Sequence, residues 1–118
     1  MRIFKNKWFA GKEGIADGEL KEAVNQLEAG LADADLGGGV YKVRIARPGE
    51  GKSGGYRVIV FFKSGKRTFF VYGFAKSAMG NIGQGDLRIF KERSKDALSM
   101  TEAQINDRLR NGTLIEVL

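Results

Sequence analysis

Apolar and polar positions along the chain follow two periods, one typical of helices and one typical of strands. The helical period predicts three helices, the first capped by Asp17, over residues 19–31, 86–98 and 102–109. The same period is compatible with a short helix over residues 7–12. Alternation, or runs of β-branched and aromatic residues, predicts strands over residues 1–5, 40–47, 56–62, 67–74 and 113–117. We expect an α+β fold: an antiparallel sheet, edged by the first strand, packed against N-terminal helices, with C-terminal helices.

The strand that begins at Val40 has two unlike faces. Its apolar positions, Tyr41, Val43 and Ile45, would face the core, so Lys42 and Arg44 would project together from the opposite face. Two neighbouring cations repel each other. The arrangement is easier to explain if an anion normally lies between them.

Connections around the strands are rich in glycine and lysine. Gly37-Gly38-Gly39 interrupts the chain and predicts a hinge into the next strand. Residues 63–66 predict a tight turn that joins two strands into an antiparallel hairpin. Gly51-Lys52-Ser53 matches the end of a phosphate-binding loop, but Ala46 replaces the first glycine and a strand follows. We therefore interpret residues 48–54 as a Gly-rich loop that carries Lys52 and Ser53 close to the ligand.

Composition excludes several kinds of chemistry. The 118 residues suit one domain, and a 42% apolar fraction is enough for a core. The absence of cysteine excludes disulfides and thiolate metal sites, and the absence of histidine removes the usual general base. Any catalysis must use Lys, Arg, Tyr, Ser or a carboxylate, and we expect no metal and no cofactor. No secretory or membrane-spanning segment is apparent, so the expected compartment is the cytoplasm.

Positive charge is concentrated in the middle of the chain. The 36 residues from Tyr41 to Lys76 hold one acid, Glu50, and nine basic residues, a net charge of +8, whereas the rest hold eleven basic and thirteen acidic residues, a net −2. The basic residues are Lys42, Arg44, Arg47, Lys52, Arg57, Lys63, Lys66, Arg67 and Lys76. Such a distribution favours binding of a polyanion, most simply RNA.

A cluster of cations can also cleave RNA without a metal or histidine. The ribose 2′-oxygen attacks the adjacent phosphate, which requires a base, positive charge on the phosphate and an acid for the leaving oxygen. Arginine suits the second task because its planar fork stays charged and binds phosphate through two hydrogen bonds. Lysine can exchange a proton if neighbouring cations lower its pKa.

Three stretches of the basic segment resemble a known toxin family. They are Tyr41-Lys42-Val43-Arg44-Ile45, Gly55-Tyr56-Arg57-Val58-Ile59 and Phe69-Phe70-Val71-Tyr72-Gly73-Phe74-Ala75-Lys76. In order and spacing they resemble the RelE/HigB toxins of type II toxin–antitoxin systems, in the RelE/ParE superfamily. The glycine triplet, Arg47 and the stretch from Gly51 to Arg57 resemble a HigB-like branch. The resemblance implies a single RelE-like domain over 1–118, with 99–118 as a C-terminal extension.

The resemblance also implies a mechanism and its residues. The family's activity is cleavage of mRNA in the ribosomal A site, and the matching positions assign catalysis to Lys42, Arg44, Arg57 and Lys76. Lys42 or Arg44 would serve proton transfer and transition-state charge, with lysine the more plausible base. Arg57 would grip the scissile phosphate, and Lys76 would stabilise charge or protonate the leaving group. The RNA-binding residues would be Arg47, Lys52 and Ser53, on flanking phosphates or ribosomal RNA.

Partners and alternatives follow from the same resemblance. The expected partners are a cognate antitoxin protein and mRNA on the ribosome, with no membrane and no small-molecule cofactor. One alternative is a gyrase-inhibiting toxin of the ParE kind, and another is a non-catalytic RNA-binding module. Family members often carry a tyrosine after the final cation, whereas Ile82 stands near that position here. We interpret Tyr56, Tyr72 and Phe74 as core residues rather than as replacements for it. Trp8 would pack in the core or cover the first helix.

Overall fold

A computed structural model describes residues 1–11, 15–46, 55–75 and 84–118. Within these residues the chain forms a six-stranded sheet and four helices. In chain order they are β1 (Arg2–Asn6), α1 (Lys7–Ala10), α2 (Asp17–Glu28), β2 (Ala34–Gly37), β3 (Val40–Ile45), β4 (Tyr56–Lys63), β5 (Arg67–Ala75), α3 (Gln84–Leu98), α4 (Glu102–Arg110) and β6 (Leu114–Val117). No helix of the described residues is both long and apolar enough to cross a membrane.

The sheet has the strand order β2-β3-β4-β5-β1-β6 and is mostly antiparallel. The α+β prediction is confirmed, with two corrections. β1 is not an edge strand: it lies between β5, to which it is parallel, and β6. β2 pairs outside β3, and the pattern did not predict it because four residues are too few to show a period.

Helices cover both faces of the sheet, rather than one N-terminal layer. On one face, α2 packs on β3 and β4 through Leu20, Ala23, Val24 and Leu27. On the other, α3 and α4 enclose a second core that contains Phe4, Val40, Ile59, Phe61, Phe69, Ile105 and Leu114. Consecutive residues 58–61 of β4 are therefore all buried, which explains the near-continuous apolar run in that strand.

The helix starts match the predictions only in part. Asp17 is not the cap of α2: the cap position is Ala16, and the Asp17 carboxylate accepts a 2.9 Å hydrogen bond from Lys5 Nζ. The start of α4 agrees with the prediction. Thr101 and Gln104 form a reciprocal capping box, in which each side chain binds the other residue's backbone N–H.

Glycines shape the β2–β3 turn and its contact with α3. Gly38 and Gly39 have φ angles of 63° and 81°, as the mirror-image hairpin turns require. A Cβ on Gly39 would lie 2.6 Å from Leu98 Cδ1 and 3.0 Å from Ser94 Oγ. The predicted hinge is thus a tight turn that also lets α3 approach the sheet.

The C-terminal residues form an integral part of the second core. Ile105 of α4 and Leu114 of β6 are buried there. Arg2 of β1 binds Glu116 of β6 through two hydrogen bonds of 2.9 Å, and its third contact, to Glu102 of α4, is 2.7 Å long. The hydrogen bonds from Arg2 hold the pKa of Glu116 below its ordinary value of 4.5.

Gly55 provides one stability prediction, because its backbone passes very close to β3. A Cβ there would lie 2.1 Å from the carbonyl oxygen of Ile45, so Gly55→Ala must displace the backbone where β3 and β4 begin to pair. We expect a loss of at least about 2 kcal/mol in the free energy of unfolding, measured with urea. Gly85→Ala is the control. Within the described part of the chain, nothing lies within 4 Å of that Cβ apart from the adjacent residues and the helix's own backbone. Alanine also favours the helix, so this variant should be as stable as the parent or more so.

The Arg2–Glu116 contact predicts a stability difference that depends on pH. Glu116→Gln should lower the free energy of unfolding at neutral pH by about 1 kcal/mol. Because the folded state lowers the pKa of Glu116, the parent's advantage is complete above pH 4.5 and is lost as pH falls through the lower, folded pKa. Urea unfolding at neutral pH and at about pH 3 measures both values. A difference that persists undiminished in acid would contradict the assignment.

Candidate functional site

Three of the predicted site residues lie on one face of the central sheet. In the β3–β4 pairing, Arg44 is directly opposite Arg57, and Lys42 is opposite Ile59. Opposite residues of an antiparallel pair project from the same face with Cβ atoms about 5 Å apart, and residues two apart in one strand share that face. Lys42, Arg44 and Arg57 therefore form a compact group, called the cation cluster below. It lies on the face that α3 also covers, toward the end of the strands away from the β2–β3 turn.

A bulge in β5 places two aromatic residues beside this cluster. The register shifts by one residue between Ile59 and Val60, so that Ile59 pairs with Tyr72 and Arg57 with Phe74. Without the extra residue, the alternation from Phe69 would turn Tyr72 and Phe74 to the other face of the sheet. The bulge thus places Phe74 beside Arg57 and Tyr72 beside Ile59, on the same face of the sheet as the cation cluster.

Asn6 links this bulge to the short helix α1. Its Oδ1 accepts a 2.8 Å hydrogen bond from Phe9 N at the start of α1, and its Nδ2 donates to the carbonyl oxygen of Val71, 3.0 Å away. The helix then carries Trp8 over Tyr72, with the two rings stacked at 4.7 Å. Trp8 is 46% exposed, so of its two predicted places the one in the core is wrong.

The other aromatic residues are more enclosed. Phe74 is buried, and Tyr72 is half-buried and contacts the rings of Phe74 and Phe90. Tyr56 lies on the opposite face of the sheet, against the core that α2 covers. Tyr72 and Trp8 therefore combine some exposure with a place on the face of the cation cluster, as does the half-buried Phe90 of α3.

Arg57 is the enclosed member of the cation cluster. It is 8% exposed, and its Nη1 is buried with no hydrogen-bond partner among the residues that the structure describes. Among the described side chains only Ser94 Oγ shares that condition. An unpaired buried donor of this kind costs on the order of 1–3 kcal/mol, and it calls for an explanation such as a ligand.

A carboxylate that the sequence interpretation missed lies between the other two cations. Asp33 Oδ1 accepts a 2.7 Å hydrogen bond from Arg44 Nε, and Asp33 Oδ2 lies 3.6 Å from Lys42 Nζ. The expected anion between these cations is thus, in part, the chain's own. No local pattern marks Asp33, because only the β2–β3 pairing brings residue 33 beside residues 42 and 44.

The remaining predicted site residues lie outside the described residues. These are Lys76 among the catalytic assignments and Arg47, Lys52 and Ser53 among the RNA-binding ones, together with Ile82. The geometry of the site accordingly rests on the cation cluster, Asp33 and the aromatic neighbours.

The described groups can bind an anion and a flat apolar ring side by side. Two guanidinium groups and one ammonium group face one carboxylate, so the cluster carries an excess of two positive charges. Guanidinium groups bind phosphate oxygens through paired hydrogen bonds, and exposed aromatic rings stack on unpaired bases. Single-stranded nucleic acid presents both kinds of group, charged phosphates and unpaired bases.

Asn6 offers a direct test of how the aromatic part is held. Asn6→Ala removes both the cap of α1 and the bond to the bulge, so it should lower the free energy of unfolding by about 2 kcal/mol. Trp8 is the only tryptophan of the chain, and its emission should shift to the red as the ring loosens from Tyr72. Asn25→Ala, at an exposed position in the half of α2 that ends at the β4–β5 turn, is the control and should leave the emission unchanged. Unchanged emission in Asn6→Ala would show that Asn6 does not hold the stack.

The whole chain also matches a protein family. The family model described as the RelE toxin of the RelE/RelB toxin–antitoxin system covers residues 1–117. The match includes β1 and β6, the adjacent strands formed by the two ends of the chain, as well as the basic strands between them. The HigB-like branch stays a prediction, whereas the resemblance to RelE toxins is confirmed: the chain belongs to the RelE family of toxins of toxin–antitoxin systems.

Proposed function

We propose that this toxin is a ribosome-dependent endoribonuclease that cleaves mRNA in the A site without a metal. The observation that carries the proposal is the cation cluster. In it, Arg44 of β3 is the direct pairing partner of Arg57 of β4, and Lys42 lies on the same face of the sheet. Like charges directly opposite in a sheet destabilise it, so their retention favours a function that needs them together. RNA cleavage is such a function, because the phosphate gains negative charge in the transition state and grouped cations stabilise that charge.

Each member of the cluster has a task that its chemistry fits. Arg57 is enclosed, its Nη1 has no partner in the described part of the chain, and it would grip the scissile phosphate. Arg44 is 47% exposed, and it would contact the same or the adjacent phosphate. Lys42 is the member able to exchange a proton, since arginine stays protonated. We keep Lys76 as the group for the leaving oxygen, and Arg47, Lys52 and Ser53 for flanking phosphates, on the family resemblance alone.

The aromatic neighbours support an RNA substrate. Trp8 and Tyr72 provide a stacked pair beside the cations, and Trp8 keeps part of its surface exposed. Sequence-independent contact with single-stranded nucleic acid combines positive charge with aromatic surface in this way. In mRNA displayed on the ribosome, a splayed base could stack here while its phosphate lies on the cluster.

The cellular setting follows from the family. A toxin of this kind has a cognate antitoxin, and an acidic antitoxin segment would complement the net +8 of residues 41–76. The substrate requires ribosomes, so we expect the protein to act in the cytoplasm.

The test is inducible expression in a bacterium with mapping of new RNA 5′ ends. Wild type should cut within translated codons, and the cuts should disappear when translation initiation is blocked. Lys42→Gln and Arg57→Met should each reduce cleavage by about a hundredfold or more, because each removes one charge aimed at the phosphate. Methionine retains most of the side-chain volume at the enclosed Arg57 position, and thermal unfolding of the purified variant checks that it is folded.

Lys63→Gln is the matched control, since it removes one positive charge at an exposed end of β4, far along the strand from Arg57. This variant should cut like wild type. Growth arrest without new 5′ ends would overturn the nuclease proposal and make gyrase the next target. Unaffected growth with folded protein present would leave a binding module.

A further inference from the structure

Asp33 is placed as a support for the cation cluster rather than as an isolated surface acid. Its backbone is exposed, yet its side chain is only 17% exposed, because the carboxylate turns inward to Lys42 and Arg44. The residue directly precedes β2, whose first residue, Ala34, pairs with Lys42. The carboxylate is therefore tied to the sheet that carries both cations.

The contacts of Asp33 leave the phosphate-binding donors of the cluster available. Asp33 takes the Nε–H of Arg44, and neither terminal nitrogen of Arg44 has a hydrogen bond to any described residue. The distance of 3.6 Å to Lys42 Nζ is beyond a hydrogen bond, so the ammonium keeps its donors as well. A carboxylate that merely filled the place of a phosphate would instead occupy the terminal fork of the arginine.

We infer that Asp33 is a positioning residue, which fixes the directions of Arg44 and Lys42 so that both face the phosphate held at Arg57. The inference rests on the proposed nuclease function and adds to it the group that organises the cluster. Arginine and lysine side chains lose much rotamer freedom on binding, and a fixed partner removes part of that cost before the RNA arrives. The negative charge of Asp33 also offsets the repulsion among the three cations.

The inference predicts an unusual separation of binding from turnover. Asp33→Asn raises the net charge by one, which by itself strengthens attraction to RNA. It also weakens the bond that orients Arg44. The variant should therefore have an unchanged or lower KM for ribosome-displayed mRNA, and its kcat should fall by about tenfold to a hundredfold.

The measurement is steady-state cleavage of mRNA on purified ribosomes by wild type, Asp33→Asn, Asp33→Glu and Asp35→Asn. Asp33→Glu keeps the carboxylate and should recover most of kcat. Asp35→Asn makes the same change of charge two residues away and keeps the side-chain oxygen that accepts from Gly37 N, so it should match wild type. An Asp33→Asn enzyme with wild-type or higher kcat would overturn the inference; a rise would identify Asp33 as a competitor of phosphate.

A second readout does not depend on cleavage. In NMR spectra of the free protein, the Arg44 Nε–H should give a resolved signal that exchanges slowly with water in wild type and Asp35→Asn, and not in Asp33→Asn. If wild type fails to cleave mRNA, the proposed function fails, and the Arg44 signal still decides whether Asp33 positions this side chain. A signal that is the same in Asp33→Asn would show that it does not.

Discussion

The pairing of Arg44 with Arg57 across β3 and β4 is the constraint on which the rest of the site depends. Antiparallel register fixes which side chains are neighbours, and a slip of β3 by one residue would turn Lys42 and Arg44 to the face opposite Arg57. That slip is prevented by burial: Val43 and Ile45 on one face, and Ile59 and Phe61 on the other, all lie in packed cores. The same apolar residues that stabilise the sheet therefore force two like charges together. The stability of the core compensates for this repulsion, which an isolated hairpin could not do.

Asp33, the bulge in β5 and Asn6 come from different parts of the chain, and each helps to build the site around the paired arginines. Asp33 supplies a negative charge between Lys42 and Arg44. The bulge in β5 brings Tyr72 to the side of the cluster, and Asn6 binds the bulge carbonyl while capping the helix that carries Trp8. Asn6 and Tyr72 lie in strands and Asp33 directly precedes one, so the sheet sets their geometry. A site built on paired strands holds its groups more rigidly than one built on loops.

Membership in the RelE toxin family and the distribution of charge lead to the same view of the molecule. The helices and outer strands carry a slight excess of acidic residues, whereas residues 41–76 carry the whole positive excess. Charge of this kind attracts a polyanion and, by the same physics, an acidic antitoxin segment. The cation cluster is the part of that surface in which attraction is joined to fixed geometry. A simple RNA-binding module would need only the attraction, whereas the proposed nuclease also needs the fixed geometry.

The sequence by itself determined the α+β class, the positions of most elements, the basic segment and the common face of Lys42 and Arg44. These depend on local periodicity and composition, which act over a few residues. It led to the family as well, through the order of three short stretches. Only the tertiary structure decided that β1 lies inside the sheet, that helices cover both faces, and that Arg44 meets Arg57. Asp33, Trp8 and the β5 bulge also escaped sequence reasoning. Each acts through a partner distant in the chain or through a one-residue shift in register. Such features leave no periodic signal in the sequence, because the packing of the whole core selects how the strands pair.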